Sequence, residues 1–588
     1  MPNETVIDVL KKTTLAQPTR PALRRKRPDG WETLTWSDYQ TAVMRAGRAL
    51  IRLGVEPSDC VVILGGNRPE WFIANLATMA AGGLPSGIYT TSTPEQCGYI
   101  VNHCEAVVAV IEDTGHLPQL ESVRDKVKAI VSMDAGDDEE GVLGWQAFLA
   151  LGDDEVQPVL DQRIADLESD RPCTLIYTSG TTGEPKGVML SHENVLWLSR
   201  ALKSEYAVTA DDCGISYLPL SHIAEQVISH YLPLVVGGCM SFARSLETLG
   251  DDLREVRPTF FFAVPRVWEK IQGRMEAAGA ASSPLKRRLV RWARGVGLAG
   301  GRAAQRGEKP PAGWWLADRL VFSKVRRRLG FDRTRVFFTS AAPMARSTLD
   351  FFLSLGIPVL EVYGMSECTG PTTFSTETRY RTGSSGWAIP GTELKIAEDG
   401  EILYRGPHVF VGYYKNEEAT REALDDQGWL HSGDIGMIDD EGFLYVTDRK
   451  KELIITSGGK NVAPVPIESK LKAIPGVAQA VVIGDRRKYL SALVILDPEV
   501  IGSLAAELGS EASTMEEAAR CERVRAYLED RIDAVNATLA PYESIRRFAV
   551  PAVGLSVEDG TLTPTLKLKR RVIHESFADV IDELYRES

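Results

Sequence analysis

Residues 177–188 read YTSGTTGEPKGV, and this stretch decides how the fold is interpreted. It follows the apolar, strand-like segment CTLIYT and precedes a segment of helical character that begins near Ser191. Its glycines let the backbone approach a ligand closely, so that backbone N–H groups, hydroxyls and a lysine can bind phosphate oxygens. The phosphate contacts predicted from these residues are Ser179, Gly180, Thr181, Thr182, Gly183 and Lys186.

The spacing of this loop separates it from the best-known phosphate-binding motif. A P-loop NTPase has the pattern G-x-x-x-x-G-K-[ST], and residues 177–188 do not fit it. A plain glycine-rich turn is the competing interpretation. The density of hydroxyls beside Lys186 favours a nucleotide phosphate as the ligand.

Composition limits the classes of protein to which the chain can belong. The 588 residues suggest roughly four folding units, and 44% of them are hydrophobic, as in ordinary globular proteins. The formal charge of −13 argues against a nucleic-acid binder, which needs a basic surface. The eight cysteines form no C-x-x-C pair, and neither a secretion signal nor a long apolar run is evident, so a cytoplasmic location is expected.

The pattern of apolar runs and turn residues changes twice along the chain. From about Val61, short apolar runs alternate with helical patterns, which indicates α/β sheets. Past Gly391, Asp-Gly and Glu-Gly pairs between short strands indicate hairpins. The sequence therefore predicts an α/β fold: a large N-terminal domain of stacked sheets, 1–447, with a β-rich subdomain at about 391–447, and a small C-terminal α+β domain, 448–588.

Further motifs follow the loop in a fixed order. They are 363–367 (YGMSE), 428–434 (GWLHSGD), 448–451 (DRKK) and 563–570 (TPTLKLKR). With the loop, they resemble the motifs of the AMP-forming adenylate-forming superfamily, which contains acyl-CoA synthetases, luciferases and adenylation domains. Within it, the chain is most similar to bacterial long-chain fatty acid–CoA ligases. The resemblance implies ATP, coenzyme A and a fatty acid as substrates and Mg²⁺ as the cofactor.

The resemblance also assigns roles to residues at the nucleotide. It implies that Tyr363 contacts adenine, that Asp434 binds the ribose hydroxyls and that Arg449 binds the ribose or a phosphate. It also implies that Thr178 and Glu367 hold Mg²⁺. The remaining implied nucleotide contacts are Gly364, Ser366 and Ala342, the last within the TSAAP segment at 339–343. In that segment Ser340 and Ala341 replace two glycines of the family pattern.

Catalysis is assigned to a second set. The implied catalytic residues are Lys567, His222 and Lys186, with Lys567 stabilising charge that develops in the adenylating step. Lys451 is the implied hinge about which a mobile C-terminal domain rotates. Gly458, Gly459 and Lys460 form the implied loop on the coenzyme A side.

The predicted function is a long-chain fatty acid–CoA ligase that forms acyl-AMP and pyrophosphate and then transfers the acyl group to coenzyme A. Two alternatives stay open: an adenylating enzyme that loads a carrier-protein phosphopantetheine arm, and a regulator that binds acyl groups or nucleotides without turnover. Acyl chain length is not defined by the sequence.

A basic segment, 286–328, carries tryptophans among arginines and lysines. Such a composition suits the interface of an anionic membrane, so peripheral contact with the inner membrane face is a further hypothesis. A solvated basic surface is the competing interpretation. A homodimer is also considered, and no nucleic-acid partner is expected.

Overall fold

The computed structural model describes residues 4–134, 141–178, 184–458, 460–563 and 568–586. Mixed sheets covered by helices make up a large N-terminal part, and a smaller C-terminal part has a core of its own. The predicted α/β fold class is therefore confirmed. The residue limits 447 and 448 between the two domains stay a prediction.

A central sheet carries the phosphate-binding loop. Its strands lie in the order Gly412–Tyr413, Lys186–Ser191, Pro172–Thr178, Leu84–Ile88, Cys60–Leu64, Val108–Ile111, Ala129–Ser132 and Leu143–Gly144. Cys60–Leu64 pairs in parallel with both neighbours, and every residue in it is buried. A parallel strand covered on both faces must be apolar throughout, which is why this part of the sequence reads as an unbroken hydrophobic run.

Two smaller sheets lie beside the central one. The first has the strand order Cys213–Ser216, Cys239–Phe242, Pro21–Arg27 and Gly30–Thr35. The second consists of the parallel strands Phe260–Ala263, Val336–Thr339 and Val359–Glu361. Its strands are rich in phenylalanine because they pack against a cluster that includes the fully buried Trp268.

The β-rich region is antiparallel. Its strands lie in the order Glu393–Ile396, Glu401–Arg405, Leu430–Ile438 and Leu444–Arg449, next to a small sheet of Tyr363–Met365, Gly370–Phe374 and Trp387–Ala388. Gly400 and Gly442 both have φ +86°, a left-handed conformation that favours glycine in tight turns. The hairpins predicted from Asp-Gly and Glu-Gly are confirmed at these positions.

The C-terminal part has a sheet of Val477–Ile483, Leu490–Leu496 and Ile545–Ala549, preceded by the short pair Ile454–Ile455 and Asn461–Val462. Its helices are Pro464–Lys472, Ile501–Glu507, Met515–Arg520, Glu522–Asn536, Arg570–Ser576 and Ala578–Tyr585. Both faces of the sheet are covered, since Leu490–Leu496 is buried along its whole length.

Helices surround the N-terminal sheets. The longer ones are Val6–Ala16, Trp36–Arg52, Pro69–Ala80, Pro94–Cys104, Gln157–Ala165, His192–Glu205, Leu249–Val256, Pro265–Ala280, Pro284–Gln305, Ser323–Leu329 and Arg346–Leu353. Within the described ranges, none has both the length and the apolar character needed to cross a membrane.

Candidate nucleotide and acyl site

The stem of the phosphate-binding loop is formed by two antiparallel strands, Pro172–Thr178 and Lys186–Ser191. Their register places Thr178 opposite Lys186. A Cβ atom at Gly187 would lie 3.3 Å from the Tyr177 ring, so the stem is tightly packed. The predicted contacts Ser179, Gly180, Thr181, Thr182 and Gly183 lie outside the described residues.

Glu367 and Lys186 meet through Tyr413, a residue without an assigned role in the sequence. The Tyr413 hydroxyl donates a hydrogen bond to Glu367 Oε1 at 2.7 Å, and Lys186 Nζ lies 4.8 Å from the centre of the Tyr413 ring. Tyr413 belongs to the strand that pairs with Lys186–Ser191. Tyr413, a residue of the central sheet, thus contacts a carboxylate through its hydroxyl and an ammonium group through the face of its ring.

Tyr363, Asp434 and Arg449 form a second cluster. Asp434 and Arg449 face each other in the antiparallel pair Leu430–Ile438 and Leu444–Arg449, with Arg449 Nε 3.2 Å from Asp434 Oδ1. The Tyr363 hydroxyl donates to Asp434 Oδ2 at 2.8 Å. Burial raises the pKa of this tyrosine. The three residues predicted for adenine and ribose therefore lie together.

A cavity of about 260 Å³ lies between these clusters and the helices. Its polar end is lined by Thr178, His222, Ser340, Gly364, Ser366, Glu367 and Arg449. Its apolar part, called the acyl arm below, is lined by Leu202, Tyr206, Val208, Ile228, Leu232, Phe260, Phe262, Val336, Phe338 and Phe374. One space therefore joins polar groups suited to a nucleotide with a long hydrophobic wall.

The backbone at the polar end tolerates little change. A Cβ at Gly364 would lie 1.7 Å from the Gly370 carbonyl oxygen, so only glycine fits there. Ala341 has φ +76°, the left-handed conformation that favours glycine. Ala341 lines the cavity, whereas the predicted contact Ala342 is exposed and is absent from the described cavity wall.

His222 lies in the cavity wall, and its Nδ1 accepts a hydrogen bond from the backbone N–H of Ala224 at 3.1 Å. The turn that carries His222 is fixed by Glu225, which sequence reasoning missed. Glu225 accepts hydrogen bonds at 2.7 Å from the hydroxyls of both Ser216 and Ser229. Burial raises the pKa of Glu225 to about 7. No local sequence signal could reveal this role, because the partners come from separate elements.

The segment after Glu225 is a π-helix, Gln226–Tyr231. Its wider turn places Ile228 in the wall of the acyl arm. Insertions of this kind within α-helices are frequent at functional sites. The apolar wall therefore depends on a local departure from α-helical geometry.

Charged groups fix the turn that carries Lys451, at the start of the C-terminal domain. Lys451 lies in a short 3₁₀ turn, Lys450–Glu452. Arg570 binds Glu468 through two hydrogen bonds of 2.7 Å and Glu452 through one of 2.9 Å. These bonds tie the turn to the helices Pro464–Lys472 and Arg570–Ser576 of the same domain.

The predicted loop on the coenzyme A side is described at two positions. Gly458 and Lys460 both follow the strand Ile454–Ile455, and the backbone N–H of Lys460 donates to Thr456 Oγ1 at 3.2 Å. Gly459 and the predicted catalytic residue Lys567 lie outside the described residues. Thr563, four positions before Lys567, lines the same cavity as Thr178 and Arg449. The C-terminal domain therefore contributes to the cavity wall.

Sequence patterns of known families match both parts of the chain. The pattern of the AMP-binding enzyme family covers residues 10–414, and that of the AMP-binding enzyme C-terminal domain covers residues 451–588. The chain belongs to the AMP-binding enzyme family. The resemblance drawn from the motifs is thereby confirmed, whereas the roles of individual residues stay predictions.

Curated relatives of this family member are similar over almost its whole length. The long-chain-fatty-acid–CoA ligase ACSBG2 of Xenopus laevis is 40% identical over 625 residues, covering 100% of this chain and 84% of the relative. ACSBG2 of Gallus gallus is 42% identical, covering 96% and 79%. ACSBG1 of Rattus norvegicus is 39% identical, covering 96% and 83%.

Solved structures confirm the fold. The anthranilate CoA ligase AuaEII in complex with anthranoyl-AMP superposes with a TM-score of 0.73 at 21% identity, over 99% of both chains. The adenylation domain of a carboxylate reductase from Mycobacterium chelonae gives a TM-score of 0.74 at 21% identity, over 100% of this chain and 92% of that one.

Proposed function

We propose that this protein is an ATP-dependent ligase that joins long-chain fatty acids to coenzyme A through an acyl-AMP intermediate. The observation that carries the proposal is the cavity that continues from a polar end into the acyl arm. Family membership and the full-length similarity to long-chain-fatty-acid–CoA ligases support it.

The first half-reaction needs a carboxylate placed at the α-phosphorus of ATP. The carboxylate oxygen forms a bond to phosphorus, the bond to the pyrophosphate oxygen breaks, and acyl-AMP results. With its tail in the acyl arm, the acid presents its carboxylate near His222, Thr178 and Ser366 at the polar end. Positioning of the reactants and fixed charges such as Lys186 and Arg449 supply the catalysis.

The second half-reaction forms the thioester. The sulfur of coenzyme A bonds to the acyl carbon, the bond from that carbon to the AMP oxygen breaks, and the thiol proton is released. Thr563 in the cavity wall is consistent with an orientation that serves the first half-reaction. We propose that rotation about Lys451 then brings the Gly458–Lys460 region toward the adenylate.

The polar end is suited to Mg²⁺. Glu367 is buried and lines the same cavity as Thr178, and no lysine or arginine of the described chain forms an ion pair with its carboxylate. Oxygen ligands in such a setting are typical of a hard divalent cation. When bound, the ion would neutralise triphosphate charge. Glu367 and Thr178 are the residues that we propose to hold it.

The experiment that tests the function supplies purified protein with ATP, Mg²⁺, coenzyme A and a series of acids from acetate to oleate. AMP and acyl-CoA are measured together. Equal formation of both products with long-chain acids is the expected result. Acyl-AMP that accumulates without acyl-CoA would indicate a carrier-protein acceptor, and no turnover with any acid would indicate a binding protein.

We also propose a cytoplasmic location with peripheral contact to an anionic membrane. The helix Pro284–Gln305 contains six basic residues and no acidic one, although the chain carries a net charge of −13. Leu285, Leu289 and Trp292 form one exposed stripe along it, and the Trp292 ring packs near Gly313, close to the exposed Trp315. Apolar side chains with cationic neighbours suit a lipid interface.

Flotation with vesicles that contain acidic lipids tests this contact. The variant Leu285→Ser/Trp292→Ser should float less than the wild-type protein, and Lys286→Glu/Arg288→Glu should lose the dependence on acidic lipid. Unchanged flotation of both variants would contradict the contact. A homodimer stays a prediction, and gel filtration with light scattering would test it.

A further inference from the structure

The acyl arm has a direction that its strands define. Phe260 and Phe262 on one strand, and Val336 and Phe338 on its parallel neighbour, all line the arm. Alternate residues of a strand point to the same face, so the arm runs along both strands. Ser340, just beyond one end, lines the polar end of the cavity, which places Arg335 at the far end.

The far end of the arm reaches the protein surface at Arg335. This side chain lines the cavity and yet keeps 40% of its surface exposed. Its Nη1 donates to the Tyr206 carbonyl oxygen at 3.1 Å, and its Nη2 donates to Asp212 Oδ1 at 2.9 Å. Tyr206 also lines the arm. A cationic side chain is therefore held by two hydrogen bonds where the hydrophobic passage meets the surface.

The length of the arm can be compared with that of an acyl chain. Ser340 and Arg335 are five residues apart, which corresponds to roughly 16 Å at about 3.3 Å per residue of strand. An extended chain advances about 1.2 Å per bond, so about 13 bonds fit along this length. Acids up to about laurate or myristate end inside the arm, and the tails of longer acids reach Arg335.

We propose that Arg335 is a tail gate that determines how acids longer than about 14 carbons are bound. The tail of a long acid displaces the guanidinium from Asp212 and extends to the surface, while shorter acids leave the ion pair closed. This inference rests on the proposed ligase function. It adds a residue that discriminates among chain lengths without touching the reacting atoms.

Arg335→Ala removes the gate. The guanidinium is 40% exposed and the Asp212 side chain only 6%, so opening this half-exposed ion pair costs on the order of fivefold in an equilibrium constant. We therefore expect kcat/KM for palmitate and stearate to rise about three- to fivefold in the variant, and kcat/KM for octanoate and laurate to stay within twofold of the wild-type value. Arg333→Ala is the matched control, since Arg333 is an exposed arginine two residues away that is absent from the described cavity wall.

A second variant tests the direction of the arm. Val336→Phe adds bulk just inside the gate, and we expect it to lower kcat/KM at least tenfold for palmitate while octanoate stays within twofold. A circular dichroism melt checks that both variants fold. The gate is refuted if Arg335→Ala leaves the palmitate value unchanged, or if all chain lengths respond equally. Absence of thioester formation by the wild-type protein with every acid would instead refute the ligase function.

Discussion

The Tyr413 hydroxyl donates a hydrogen bond of 2.7 Å to Glu367 Oε1. The same ring carries Lys186 Nζ 4.8 Å from its centre. Tyr413 thereby sets the distance between the proposed metal ligand and the proposed phosphate-binding lysine. A hydrogen bond to a charged group contributes about 1.5–3 kcal/mol, so its loss should be measurable.

Tyr413→Phe removes the hydroxyl and retains the ring. We expect the Mg²⁺ concentration for half-maximal adenylation to rise about tenfold or more, because the freed Glu367 carboxylate is no longer oriented. Pyrophosphate release measured across a Mg²⁺ titration checks this. The matched control is Tyr414→Phe, whose ring packs against His103 instead. Equal Mg²⁺ dependence of both variants would show that Tyr413 does not position Glu367.

Ala341 provides a prediction about backbone conformation. Its φ of +76° costs about 1 kcal/mol or more for a residue with a Cβ. Ala341→Gly removes that cost but increases the entropy of the unfolded chain, which offsets part of the gain. We expect the melting temperature to rise slightly or stay level, with activity retained, and Ala341→Val to lower it by several degrees. If Ala341→Gly destabilised the protein as much as Ala341→Val, the left-handed conformation at this position would be refuted.

The sequence predicted the fold class and most of the chemistry, because both depend on local patterns. Apolar runs such as Cys60–Leu64 predict buried strands, and the glycines at 400 and 442 predict hairpin turns. The motif residues Tyr363, Asp434 and Arg449 could likewise be named in advance, and the fold brings them into contact.

Residues that act by bridging distant segments could not be predicted in this way. Tyr413 meets Glu367 across 46 positions, and Arg335 meets Asp212 across 123. Neither pair leaves a periodic or spaced pattern in the chain. Nor could the sequence predict that Ala341 lines the cavity while Ala342 is exposed, because this arrangement accompanies a left-handed backbone conformation at Ala341.

Ion pairs across the domain junction lead to a prediction about the two half-reactions. The helix Pro265–Ala280 contributes two of them. Arg266 Nη2 lies 3.3 Å from Asp497 Oδ2, and Glu269 Oε1 lies 3.8 Å from Lys472 Nζ. Both partners belong to the C-terminal domain. The pairs favour the orientation in which Thr563 lines the cavity. Lys472→Glu should therefore slow adenylation about threefold to fivefold. This factor corresponds to the loss of one ion pair that contributes up to about 1 kcal/mol.

The compensating exchange distinguishes this role from general destabilisation. Glu269→Lys combined with Lys472→Glu restores opposite charges and should recover the rate of pyrophosphate release. Thioester formation from supplied acyl-AMP should be unaffected by Lys472→Glu alone. If the double variant stayed slow, or if both half-reactions slowed together, the ion pairs would have no part in domain orientation.

Glu225 leads to a prediction about pH. Burial raises its pKa from an ordinary 4.5 to about 7, so the folded protein retains a proton that the unfolded chain releases. The contribution of this group to the free energy of unfolding is fully present below about pH 4.5. It falls as the pH rises to about 7, where the total loss is on the order of 3 kcal/mol.

Glu225→Gln cannot ionise, and it retains a carbonyl oxygen for the Ser216 and Ser229 hydroxyls. We expect its melting temperature, relative to the wild-type protein, to rise by a few degrees between pH 5 and pH 8. The matched control is Glu529→Gln, the same substitution at an exposed position away from the turn that carries His222. A constant difference between Glu225→Gln and wild type across this range would mean that Glu225 is ionised throughout, and that the turn carrying His222 is held by a charged carboxylate.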